Sequence, residues 1–276
     1  MTVTRNDFLK LAGLAGLSAV IPAGSNANEF KKEPLHLNIG LASYTLRTLK
    51  VDDVIKICKR LELKSISLKS FHLPLESSAE EIKTVMGKFK DAGLNIYGLG
   101  VIYMKTEQEV LKAFEYAQNA GVEMIVGVPN PELLSFVNDI IKDRNIRLAI
   151  HNHGPEDKLY PSVDNVHEGI KDLDKKIGFC IDIGHVFRNA QDPAAMLSKY
   201  KDRLFDMHMK DITQPVKDGK PIEIGRGGMD IVKVMKTLRK INYSGVVAIE
   251  YEKDGDEPLS GLAESVGYLR GLMKTV

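Results

Sequence analysis

From residue 35 onward, short runs rich in Ile, Val and Leu alternate with longer segments of helical period, eight of each. The strand candidates are 37–42, 65–69, 95–99, 124–128, 147–152, 178–183, 204–209 and 246–251. The helix candidates are 51–61, 79–92, 107–120, 131–143, 163–173, 193–200, 229–240 and 262–274. A strand recurring after each helix implies right-handed βαβ units and a parallel sheet. Parallel strands are buried on both faces and read as unbroken apolar runs, as Ile146–Ile150 does. Eight such units in one stretch is the number that closes a barrel, so the expectation is a single-domain α/β fold, a (β/α)8 TIM barrel spanning 35–276. Helix punctuation agrees. Gly93 and Gly121 follow two helical segments, where a left-handed cap is favoured, and Pro131 and Pro193 sit in the first turns of two others. An open doubly wound sheet would place a glycine-rich phosphate turn after its first strand. Gly40-Leu41-Ala42-Ser43-Tyr44-Thr45 has no such pattern.

Charge and cysteine narrow the function. Among 276 residues, 38 are Lys or Arg and 37 are Asp or Glu, which leaves no electrostatic footprint for nucleic acid or an anionic membrane. A small-molecule substrate is the partner expected, and the sequence assigns no oligomeric state. Cys58 in a helical pattern and Cys180 in an apolar strand run read as small buried hydrophobes.

Residues 1–27 read as an address. Arg5 and Lys10 precede an apolar run from Leu11 to Ile21, followed by Pro22 and small residues ending in Ser25-Asn26-Ala27. That order is the one of a secretory signal, and the run is too short to span a bilayer. Thr4-Arg5-Asn6-Asp7-Phe8-Leu9-Lys10 resembles a degenerate twin-arginine motif, with Asn6 in place of the second arginine. The expectation is an exported, periplasmic protein, by either route. The alternative is an N-terminal helix packed on the domain.

In a barrel, functional groups collect where strands end and βα loops begin. The last four strand candidates end in His151, Asp182, His208 and Glu250. One metal-competent side chain on each of four successive strands, all at the same end, points to one divalent cation of the Mn, Co, Zn or Fe class, and no thiolate belongs to the set. A metal also accounts for several polar groups sharing one cavity. Taken singly, Asp182 suits a helix cap and Glu250 a rim charge. Asn152, His153 and His185 are open between supporting the ligands and touching substrate. Lys69 and His72, beside the second strand's end, and Lys210, after the seventh, are further candidates for substrate contact.

Leu148-Ala149-Ile150-His151-Asn152-His153-Gly154, Asp182-Ile183-Gly184-His185, His208-Met209-Lys210-Asp211, Gly225-Arg226-Gly227 and Ile249-Glu250-Tyr251-Glu252, in this order on these strands, resemble the xylose isomerase-like TIM-barrel family of sugar isomerases and epimerases, which also includes AP endonucleases. The resemblance implies one divalent metal held by Glu, Asp, His and Glu. It also implies two glutamates that exchange the proton next to a ketose carbonyl through an enediolate. Asp182, His208 and Glu250 match three of these positions, and His151 stands where the first glutamate is expected. His185 and Arg226 match positions that contact substrate.

The departure at position 151 bears on mechanism. Shifting a proton beside a carbonyl needs a Lewis acid and a base at carbon, and Glu250 suits the base. A 3-epimerase needs a group on each face of the substrate. His151 serves there only if it is not locked as a ligand, or if Glu156 reaches in. A 1,2-isomerisation, or a lyase or hydratase reaction on a 3-keto-glycoside, needs fewer matched bases and suits an exported protein. The expectation is therefore a metal-dependent sugar isomerase or epimerase. The alternatives are a 3-keto-glycoside lyase or hydratase and a non-catalytic carbohydrate-binding barrel. A trinuclear nuclease site is disfavoured, because Tyr97-Gly98-Leu99-Gly100 supplies no histidine on the third strand.

Overall fold

A computed structural model describes residues 37–276; the expected export segment, residues 1–27, lies outside the described residues. Eight parallel strands close on themselves: β1 (Asn38–Ala42), β2 (Ser65–Leu68), β3 (Asn95–Met104), β4 (Met124–Pro129), β5 (Arg147–His151), β6 (Ile177–Asp182), β7 (Leu204–Met209) and β10 (Val246–Ile249). Pairing of Asn38–Leu41 with Val246–Ile249 completes the ring. The loop after β7 carries a two-residue antiparallel pair, β8 (Asp211–Ile212) and β9 (Pro221–Ile222), which the sequence pattern does not announce. All six residues of β4 and of β6 are buried, as a strand covered on both faces requires.

The eight expected helices are present: α1 (Val51–Arg60), α2 (Ala79–Asp91), α3 (Glu107–Ala120), α4 (Leu134–Ile141), α5 (Val163–Ile170), α7 (Pro193–Lys199), α8 (Ile231–Lys240) and α9 (Leu259–Met273). Their starts follow from capping chemistry. Ser78 forms a capping box with Glu81, and the side chains of Thr106, Ser162 and Asp230 accept N–H bonds from Glu109, Asn165 and Lys233. Each such cap contributes on the order of 1 kcal/mol. Gly121 ends α3 in the left-handed region, at φ 66°. The segment expected to begin a helix at Pro131 instead makes a 3-10 turn, Pro131–Leu133, before α4. Among the described residues, no helix is long and apolar enough to cross a membrane.

Two departures from the expected boundaries shape the mouth of the barrel. β6 stops at Asp182 and a short helix, α6 (Ile183–Arg188), begins at once, because Asp182 Oδ1 accepts the His185 N–H at 3.0 Å and caps it. β3 runs to Met104, five residues beyond the expected Leu99. Its path passes through Gly100 at φ 146°, where a Cβ would lie 1.9 Å from the Val126 carbonyl oxygen, so only glycine permits this approach to β4. The register with β4 shifts at the same point, and the strand carries Tyr103 out to the mouth.

Candidate functional site

Residues two apart on a strand point to the same face, so β5, β6, β7 and β10 present layers of side chains to the interior. At the uppermost layer stand His151, Asp182, His208 and, one residue past β10, Glu250, none more than 5% exposed. One ligand-competent atom from each lies within 4.8 Å of all the others. His151 Nε2 is 3.1 Å from His208 Nδ1 and 3.6 Å from Asp182 Oδ2, and His208 Nδ1 is 3.4 Å from Glu250 Oε2. Two donors bound at right angles to one ion at about 2.1 Å are about 3.0 Å apart, and the edge of a tetrahedron is somewhat longer. The 3.1 and 3.4 Å spacings fall in that range, and the 3.6 Å spacing lies just above it. The structure therefore brings the four expected ligands together.

Lys210 does not line the cavity. Its buried ammonium sits 3.0 Å from Asp182 Oδ2, 2.7 Å from Glu250 Oε2 and 3.0 Å from Glu252 Oε1. Three carboxylates against one ammonium leave two negative charges, which a divalent ion balances. His151 Nδ1 and His208 Nε2, the ring nitrogens outside these contacts, are buried without a hydrogen-bond partner. The donor set, two imidazoles and two carboxylates, fits a metal of the Mn, Co, Zn or Fe class.

The protonation states follow from burial and neighbours. Burial alone would raise the Asp182 and Glu250 carboxyls. Lys210, with His185 at Asp182 and His208 at Glu250, outweighs it and holds both well below the usual carboxylate range. Burial pushes the His151 imidazole far down, so it is neutral and able to donate a lone pair. His208 is raised, because Glu250 overcomes the effect of burial. The Lys210 ammonium is held well above its ordinary value by Asp182, Glu250 and Glu252, again against burial.

Beside the quartet lies a cavity of about 190 Å³ lined by Tyr44, Lys69, Tyr103, His153, His185 and Glu252, together with His151 and Glu250. The Lys69 ammonium lies over the rings of Tyr44 and Tyr103, at 5.1 and 5.9 Å from their centroids. His153 Nε2 shares a 2.9 Å hydrogen bond with the Tyr103 hydroxyl. Larger clefts exist, among them one of about 740 Å³ between α2 and α3, whose lining holds no histidine, aspartate or glutamate.

Of the remaining residues named from sequence, Lys69, His153 and His185 line this cavity. His72 does not. Its two ring nitrogens are engaged by Ser43 Oγ and the Leu46 carbonyl, each at 3.1 Å, and it is 4% exposed. Arg226 lies outside the cavity lining too, on the exposed surface, with its guanidinium on both Glu264 oxygens. Glu156 is drawn to Arg188 Nη2 at 2.8 Å, and Arg188 also meets His185 Nδ1 at 3.2 Å. Asn152 braces the quartet from behind: its Oδ1 accepts the Asp182 N–H at 3.0 Å and its Nδ2 donates to the Asp182 carbonyl. Four lining residues, Tyr44, Val101, Tyr103 and Glu252, carry no role in the sequence reading. Only Glu252 leaves a signal there, two positions past Glu250, so that extended backbone would turn both carboxylates to one side.

A family model for xylose isomerase-like TIM barrels matches residues 46–272. An uncharacterized protein of Methanocaldococcus jannaschii is 29% identical over 127 residues, 44% of this chain and 42% of that protein. An inosose dehydratase of Clostridium tetani is 27% identical over 138 residues, 44% of this chain and 45% of that enzyme. The matched region thus spans less than half the length of these curated relatives. The solved structure of a 3-keto-D-glucoside 4-epimerase from E. coli superposes with a TM-score of 0.68 at 14% identity, covering 86% of this chain and all of that one, a likeness of fold.

Proposed function

Because the chain belongs to the xylose isomerase-like TIM-barrel family, we propose that it is a divalent-metal-dependent sugar isomerase or epimerase that moves a proton next to a carbonyl. The observation that carries this reading is the quartet of His151, Asp182, His208 and Glu250, one from each of four neighbouring barrel strands, with ligand atoms within 4.8 Å of one another. The ion, when bound, polarises the substrate carbonyl and balances the charge that develops on its oxygen. Glu250, ionised and lining the cavity, takes the proton from the adjacent carbon. Lys210 keeps the Glu250 and Asp182 carboxylates oriented, and Asn152 fixes the backbone from which Asp182 projects. Lys69, Tyr103, His153 and His185 supply hydrogen-bonding groups for sugar hydroxyls. A cavity of this size, about 190 Å³, suits one sugar ring.

A second reading, a lyase or dehydratase on the same barrel, is favoured by one observation. The two carboxylates that line the cavity, Glu250 and Glu252, both come from the end of β10, and a neutral imidazole stands at position 151. A base on one side serves a 1,2-shift or an elimination better than an inversion. In an elimination the Tyr103–His153 pair would protonate the departing hydroxyl.

Metal-loaded protein incubated in D₂O with a panel of free ketoses, aldoses and 3-keto-glycosides, and read by NMR, tests the proposal. The expected result is deuterium at the carbon next to the carbonyl of the accepted sugar, with an isomerised or dehydrated product identifying which reading holds. Turnover by hydrolysis without deuterium incorporation would contradict both.

A further inference from the structure

Cys180 stands two residues before Asp182 on β6, so its thiol points into the same interior one layer deeper. It is free and fully buried. Its Sγ and one ring nitrogen each of His151 and His208 lie within 4.8 Å of one another. Both imidazoles are more than nine-tenths buried and each keeps one ring nitrogen without a partner. The thiol itself donates to Asp206 Oδ2 at 3.8 Å. The two histidines thus belong to an oxygen-rich ligand set, with Asp182 and Glu250, and to a sulfur-bearing one, with Cys180.

We propose that His151, Cys180 and His208 form a second, alternative metal site that takes a borderline or soft divalent ion such as Zn²⁺, Co²⁺ or Cd²⁺, while a harder ion such as Mn²⁺ stays with the carboxylates. The inference rests on reading the quartet as a metal centre. Sharing both imidazoles makes the sites mutually exclusive: one ion is bound, and its softness selects the layer. Lys210 strengthens the division, because its ammonium already contacts Asp182 Oδ2 and Glu250 Oε2, two oxygens of the upper set. On binding, the S–H bond breaks, the sulfur lone pair forms the bond to the ion, and the proton leaves along the existing contact to Asp206. An ion held by Cys180 sits below the layer that carries Glu250, so soft metals act as inhibitors rather than substitutes.

The test is titration of the full-length, metal-stripped protein with Co²⁺, read by the near-ultraviolet sulfur-to-cobalt charge-transfer band. The band should saturate at one equivalent, persist in Cys58→Ser and vanish in Cys180→Ser. The Cys180→Ser protein should still bind one Mn²⁺ by electron paramagnetic resonance, with its preference for Zn²⁺ over Mn²⁺ reduced about tenfold or more. One bound Co²⁺ without the sulfur band overturns this inference and leaves the quartet standing. A wild-type protein that binds neither Co²⁺ nor Mn²⁺ overturns both. Should Cys180→Ser fail to fold, zinc-edge X-ray absorption of the wild type decides, since a Zn–S distance of about 2.3 Å is required and its absence contradicts the site.

Discussion

The two arcs of the barrel mouth are built from different chemistry. β5, β6, β7 and β10 end in His151, Asp182, His208 and Glu250, buried and in contact with one another or with Lys210, with His151 and Glu250 bordering the cavity. β1, β2 and β3 deliver Tyr44, Lys69 and Tyr103, open enough that Tyr103 is 45% exposed. A buried cluster of opposite charges persists only if every charge is balanced, and its spacing and net charge both suit a metal. An open arc of hydroxyl, ammonium and aromatic groups suits a polar ligand that must come and go. In the proposed reading the first arc holds the ion and the base, and the second, together with His153 and His185, meets the sugar.

Three substitutions sharpen or break that division. The largest effect belongs to Glu250→Gln, which should lower kcat by about 10²- to 10⁴-fold while one equivalent of metal remains by elemental analysis, because the amide still offers an oxygen but accepts no proton. Full activity in that variant would remove Glu250 as the base. Tyr103→Phe deletes the hydroxyl that meets His153. A KM raised by about tenfold, consistent with one lost polar contact, is expected with metal content unchanged. Loss of metal in Tyr103→Phe would show that the arcs are not separate.

Asp206, one layer below the quartet, gives the smallest and most specific effect. Burial raises its carboxyl from 3.8 to about 6, although Tyr97 donates to both its oxygens. The folded state therefore binds more protons than the unfolded state between these values, and stability from this group is lost as pH rises through about 6. His185, pushed down to about 4 by burial, acts in the opposite sense: stability is lost as pH falls from 6.5 towards 4. Asp206→Asn removes the first effect alone. In chelator, the variant should gain on the wild type by about 1.4 kcal/mol between pH 5 and pH 8, measured by denaturant unfolding. A constant difference between the two proteins across that range would remove the buried-proton account.

The buried arc was legible in the sequence because two regularities coincide there. Strand period places His151, Asp182, His208 and Glu250 at strand ends, and their types share one chemistry. The open arc was not. Tyr103 was hidden because the expected strand stops at Leu99, whereas Gly100 lets β3 pass close to β4 and continue. His72 and Arg226 show the converse: a position near a strand end fixes where the backbone lies, not which partner the side chain finds. Ser43 and Leu46 hold one, and Glu264 holds the other. Boundaries blurred where a side chain decides them, as when Asp182 turns β6 directly into α6.

The central claim is that the quartet binds one divalent ion, and metal stoichiometry tests it most directly. Wild type and Asp182→Ala, dialysed against the same Mn²⁺ buffer and analysed by inductively coupled plasma mass spectrometry, should carry about one equivalent and almost none, respectively, since the substitution removes a buried ligand. Equal metal content in the two proteins, or a metal-free wild type that turns over its sugar at full rate, would contradict the account.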